Sequence, residues 1–141
     1  MAGIFKCVRL STIRFIKLAA DGSGLKYIDW DENADITKPP DGDLIGLHGF
    51  AVSTSGKLHD FQFGVTCQTL NDPNLFRLTD IVDKLYNLML PEKQFSIIHP
   101  NTGEVIAAAS FAGETAVHPV NRIETRVTIS LQARFVVNLA Q

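Results

Sequence analysis

Segment 123–137 alternates its side chains along its length, with Ile123, Thr125, Val127, Ile129, Leu131, Ala133, Phe135 and Val137 at the odd positions and Glu124, Arg126, Thr128, Ser130, Gln132 and Arg134 among the even ones. Alternation of period two sends one set to each side of a sheet. Fully extended, such a run spans about 50 Å at about 3.3 Å per residue, whereas a domain of this size has a radius of gyration of about 14 Å. The strand must therefore curl or project. A projecting strand is expected to be completed by neighbouring copies, so the pattern predicts a subunit that finishes its sheet in an assembly.

The rest of the chain reads as one domain, residues 1–141, large enough to bury a core without crosslinks. Thirteen Lys and Arg against fifteen Asp and Glu give a formal charge of -2. With no basic block to neutralise a phosphate backbone, sequence-specific nucleic-acid binding is not expected. Cys7 and Cys67 stand sixty residues apart and outside any C-x-x-C pair, which supports neither a redox motif nor a zinc knuckle and favours buried free thiols over a single disulfide between the two. Lys6, Arg9, Arg14 and Lys17 interrupt the first twenty residues, so they form no signal peptide. No stretch reaches the roughly 20 apolar residues of a membrane span, and a cytoplasmic site of synthesis is expected.

Residues 1–20 fit a helical stripe (Val8, Thr12, Phe15, Ala19) or, by their β-branched and aromatic content, a strand. The turn Asp21-Gly22-Ser23-Gly24 precedes a short strand over 25–30, and an acidic, proline-bearing loop fills 29–43. Strands over 44–54 and 57–70 form a hairpin about Ser55-Gly56. A helix over 73–89 is capped by Asp72, starts at Pro73, buries Leu75, Leu78, Val82, Leu85 and Met89, and ends before Pro91. A second hairpin, 94–99 with 104–111, turns at Pro100-Asn101-Thr102-Gly103. The expected class is α+β: an antiparallel sheet with long strands packed against one central amphipathic helix, with the N-terminal element undecided between helix and strand.

Candidate chemistry is sparse. Asp29, Asp31 and Asn33 occupy the first, third and fifth places of a calcium loop, but the sixth is Ala34 and the twelfth Pro40, where Gly and a bidentate Glu are needed. His48 and His59 can meet across the first hairpin, though two imidazoles make a weak metal site. Nucleophile elbow, phosphate loop and dinucleotide fingerprint are absent. No catalytic, metal-binding or cofactor-binding residue is assigned, no cofactor is implied and no enzymatic activity is expected. Two surfaces are assigned to contacts. The polar side of the last strand, Glu124, Arg126, Thr128, Gln132 and Arg134, is a solvent face, a channel lining or a subunit interface. The acidic loop, Asp29, Asp31, Glu32 and Asp35, is a partner-facing segment.

From about residue 44 to 137, the hairpin, the helix introduced by Asn71-Asp72-Pro73-Asn74-Leu75, the Leu90-Pro91-Glu92 exit, the Asn101-Thr102-Gly103 turn and the closing strands resemble the tail terminator, or tail-completion, proteins of long-tailed bacteriophages. The resemblance covers about two thirds of the chain and is one of architecture. It implies a structural virion protein of the tail or neck, made in the bacterial host cytoplasm. Such a subunit forms a homo-oligomeric, hexameric ring that stops tail tube growth and meets the head connector, with phage DNA passing through its lumen. It also implies an N-terminal helix. The competing readings are a tail tube protein forming stacked rings and a small β-rich module binding a peptide or ligand at the acidic loop or the Phe61/Phe63 region.

Overall fold

A computed structural model describes residues 3–32, 42–52 and 59–139. The elements run α1 (Ile4–Gly22), β1 (Lys26–Asp29), β2 (Leu44–Val52), β3 (Asp60–Leu70), α2 (Phe76–Leu88), β4 (Gln94–Ile98), β5 (Val105–Phe111), β6 (Ala116–Val117), β7 (Asn121–Ile123) and β8 (Arg126–Leu139). The fold is α+β, and the sheet is mixed because β1 pairs with β2 in parallel while the other pairings are antiparallel. Its order is β1-β2-β3-β8-β5-β4, with β6 and β7 added beside β8.

The N-terminal segment is a helix of nineteen residues. Its β-branched content lowers its helix propensity only slightly, and packing overrides that preference. Val8, Thr12, Ile16 and Ala20 recur every four residues, with Cys7 and Ser11 beside them, and all six are buried. The buried Thr12 hydroxyl donates to Val8 O at 2.8 Å, so its polarity is satisfied within the helix. The second helix begins three residues later than the sequence pattern predicts. Residues 73–75 make a turn in which Leu75 adopts φ 60°. Asp72 still caps the helix, since its carboxylate accepts the Leu78 N–H at 2.9 Å and the Thr69 hydroxyl at 3.0 Å. The N-terminal element, undecided between helix and strand in the sequence, is thus a second helix beside the expected central one.

The expectation for the last strand divides. Its faces are as the alternation predicts: Val127, Ile129, Leu131, Ala133, Phe135 and Val137 are buried, while Gln132 and Arg134 are exposed. Its extent and its edges differ. Glu124 and Thr125 reverse the chain between β7 and β8, Glu124 at φ 56°, so Ile123 lies opposite Arg126 and not in line with it. The alternation passes through this reversal without a Gly, Asn or Pro to mark it, which is why 123–137 reads as one strand.

Among the described residues, β8 is bonded along both edges from Arg126 to Val137. One edge is bonded to β3 from Arg126 to Val136, and the other to β7 at 126–128, β6 at 131–132 and β5 at 135–139. Ala112 N–H to Arg134 O and His118 N–H to Ser130 O fill the intervals. The inference that a projecting C-terminal ribbon needs sister copies is therefore overturned. The length is absorbed by curl: α1 packs on β1 and β2 at one end of the strand order and on β4 at the other.

The core lies between the inner face of the sheet and the two helices. Phe61, Phe63, Phe95, Phe111 and Phe135 pack with ring centroids 5.2–6.3 Å apart, and Phe15 of α1 stacks on Phe95 at 4.8 Å. Such contacts add to the burial of large apolar rings.

Candidate interaction surfaces

The described start of the acidic segment, residues 29–32, forms an internal joint. Asp29 is buried, and its Oδ2 takes Arg9 Nη2 of α1 at 2.6 Å, while its Oδ1 accepts the N–H groups of Asp31 and Glu32 at 3.1 and 3.3 Å. Asp31 accepts the N–H groups of Gly49 and Phe50 at 2.8 and 3.0 Å. These donors are free because the β2–β3 register shifts between His48 and Ala51, with Gly49 at φ 63°. Arg9 completes the joint by lying 5.4 Å over the Phe50 ring.

Asp29 and Asp31 thus tie α1, β1 and the β2 bulge together; Asp29 is buried and so does not face a partner, whereas Asp31 is exposed beside the bulge. Glu32 is exposed; Asp35 lies outside the described residues, as do the Ser55-Gly56 turn and the rest of the proline-bearing loop. The sequence gives no direct sign that Arg9 is the partner, because the ion pair spans twenty residues.

His48 and His59 do not meet. His48 lies opposite Gly64, and its Nε2 is 2.9 Å from Thr66 Oγ1, which is 2.8 Å from Ser130 Oγ. Burial lowers the His48 pKa against an opposing pull from Asp31, so the ring is neutral near pH 7. Two glycines admit the aromatic cover on this outer face: a Cβ on Gly46 would fall 2.5 Å from the Trp30 ring, and one on Gly64 would strike His48. Cys7 and Cys67 are free and buried, and burial pushes the Cys67 thiol up to about 12.

Beyond Trp30 and His48 the outer face is polar and shallow. Thr128 is half-buried opposite Gln68; Gln132 and Arg134 are exposed opposite Gly64 and Gln62. Arg126 is half-buried at the start of β8, and Glu124 stands in the turn before it. Arg126, Thr128, Gln132 and Arg134 share one face of β8, and Glu124 belongs to the reversal. Among the described residues no three His, Cys, Asp or Glu side chains converge. The Phe61/Phe63 region offers no ligand pocket, because both rings are sealed in the core at 0% and 1% exposure.

Apolar groups are exposed at several places: an open pocket of about 580 Å³ beside α1 is lined by Phe5, Leu10, Ile13 and Phe50 with Arg9, Asp29 and Glu32, and Phe76 of α2 is 70% exposed. A groove of about 420 Å³ runs between the C-terminal halves of α1 and α2 over Ile45, flanked by Leu18 and Leu88. Away from it, the ribbon of residues 116–123 on the far edge of β8 exposes Val117, Val120 and Ile123. Sequence periodicity misses the groove and the ribbon, since Leu18 and Leu88 fall outside the apolar stripes it reads along the two helices and Ile123 reads as part of the buried strand face. No described helix is long and apolar enough to cross a membrane.

No family model matches the chain, and no curated protein matches it. Among solved structures, a chain whose name states no activity superposes with a TM-score of 0.63, covering 96% of this chain and 96% of its own at 12% identity. A likeness at that identity establishes a shared fold over nearly the whole length of both chains.

Proposed function

We propose that the protein is a structural subunit of a bacteriophage tail or neck, acting as a homo-oligomeric ring that ends tail tube growth and joins the tail to the head connector. The order of β2–β3 hairpin, α2, β4–β5 hairpin and closing β8, preceded by a helix, agrees with what the resemblance to tail terminators implies. The observation that carries the reading is exposed apolar groups at unlike places on one subunit, Leu18 and Leu88 beside the helical groove and Val117, Val120 and Ile123 along the 116–123 edge. Unlike patches on one subunit make head-to-tail contacts, and such contacts close into a ring when the rotation permits. The reading assigns no catalytic role.

A tail tube protein is the nearest competitor. Polymerisation separates the two: a tube subunit grows open-ended stacks, and a terminator stops at one closed ring. Native mass spectrometry with negative-stain microscopy tests this, the expected result being a single ring species, hexameric by the resemblance. A protein that stays monomeric even when mixed with tube or connector proteins counts decisively against it.

A further inference from the structure

We propose that the outward ridge of α1 in one copy packs, in parallel orientation, against the outward ridge of α2 in the next, and that this helix pair is a contact between copies; the inference rests on the homo-oligomeric reading above. On α1, Leu10, Arg14, Lys17 and Asp21 follow one another at intervals of four, three and four residues, which sets them on one side of the helix, and all four are exposed. On α2, Phe76, Asp80, Asp83 and Asn87 repeat the same intervals and are exposed as well. Phe76 is 70% exposed, more than any other large apolar side chain described.

Two ridges of equal spacing can be laid together in either direction, and the residue types select one. In parallel, Leu10 meets Phe76, Arg14 meets Asp80, Lys17 meets Asp83 and Asp21 meets Asn87, so apolar lies on apolar and each base on an acid. Run antiparallel, the bases still meet acids, but Leu10 falls on Asn87 and Asp21 on Phe76. The other charges of the two helices leave this match undisturbed. Arg9 is bound to Asp29 and Arg77 to Asp43, Lys84 lies on the groove side of α2, and Lys6 falls before the start of α2 in this register. Among the described residues, no ion pair within the chain takes up Arg14, Lys17, Asp80 or Asp83. The occupant is a second copy, because both ridges stand open in one copy and one sequence carries both halves of the match. Since two different surfaces meet, the contact is head-to-tail, as a ring requires.

The test mixes two single variants of the full chain, Leu10→Cys and Phe76→Cys, under mild oxidation. Cys7 and Cys67 are buried and do not compete. The expected result is a reducible covalent dimer from the mixture and none from either variant alone, with both variants melting as the wild type does. Lys17→Asp and Asp83→Lys are each expected to raise the concentration for half-assembly by about tenfold, and their combination in one chain to restore it. A mixture of Leu10→Cys with Asn87→Cys that crosslinks as well as the first would show the antiparallel arrangement and overturn the proposal. Abundant dimers from Phe76→Cys alone would place α2 on α2 and overturn it too. Oligomers by light scattering without the crosslink refute this helix pairing and leave the ring reading intact. A wild-type monomer at every concentration, with no crosslink, refutes both.

Discussion

At β4, an edge strand, the N–H of Ile98 is answered by Ser11 Oγ of α1 at 2.9 Å, and at β1, the opposite edge, Asp29 holds Arg9 of the same helix. The ribbon of β6 and β7 has no such cover: it is bonded to β8 on its inner side and exposes Val117, Val120 and Ile123. A bare sheet edge is a template for uncontrolled pairing. The same helix packs against both edges through polar side chains, whereas the ribbon interrupts its edge with Pro119 and reverses at Glu124. The contrast separates groups that complete the fold from groups left over for contact.

The sharpest way to break this contrast is to place the same charge on each side of it. Ile129→Asp inserts a carboxylate among the buried residues of β8 and is expected to cost about 4 kcal/mol or more, leaving little folded protein by circular dichroism. Arg134, on the exposed side of the same strand opposite Gln62, tolerates Glu without loss of melting temperature. Equal damage from both would mean that the faces are wrongly assigned. Next in size, Arg9→Met leaves the Asp29 carboxylate without its closest cation and is expected to cost about 2 kcal/mol, discounted for partial exposure of Arg9. A thermal melt should show it.

How much of this was legible in the sequence follows from the range of the interactions concerned. The Leu78, Val82 and Leu85 stripe, the Asp72 cap and the two hairpins are local, and spacing of three, four or two residues reveals them. The closure by α1 is not local: Ser11 reaches Ile98 across 87 residues and Arg9 reaches Asp29 across 20. Nothing in the spacing of Asp29 and Asp31 distinguishes a structural joint from a solvent-facing loop, because the difference lies in which donors the fold brings to them. The two-residue turn at Glu124 was hidden for the opposite reason, since the alternation continues through it unbroken.

Two smaller effects refine the closed side. Ser11→Ala strips the Ile98 N–H of its acceptor, with an expected loss of about 1 kcal/mol and faster hydrogen exchange at Ile98 than at its β5-paired neighbours. Unchanged exchange there would mean that α1 does not guard this edge. The pH dependence has two windows. Because the native His48 pKa lies below its ordinary 6.5, the unfolded state binds more protons below that value, so the contribution is full above about pH 6.5 and falls as the pH approaches the native value. His48→Gln should flatten that slope in melting temperature. Asp72 acts lower on the scale: burial alone would raise its pKa, but the hydrogen bonds from Leu78, Thr69 and Arg77 outweigh it and bring it below 3.8. Its contribution is present above that value and is lost as the pH falls through the native one.

The smallest expected effect on folding is the most informative about function. Ile123 is 60% exposed and lies outside the core, so Ile123→Ser should change stability by no more than about 0.5 kcal/mol. A residue serving only as the end of a short edge strand would have no further consequence. If the ribbon is left open in order to be covered by another copy, the same substitution lowers the assembled fraction in light scattering while the melting curve of the dissociated subunit stays put. The matched control is Val105, also exposed, at 62%, but on β5 and away from the ribbon. Val105→Ser should leave both measurements unchanged, and a loss of assembly equal to that of Ile123→Ser would show that general surface apolarity, not the ribbon, holds copies together.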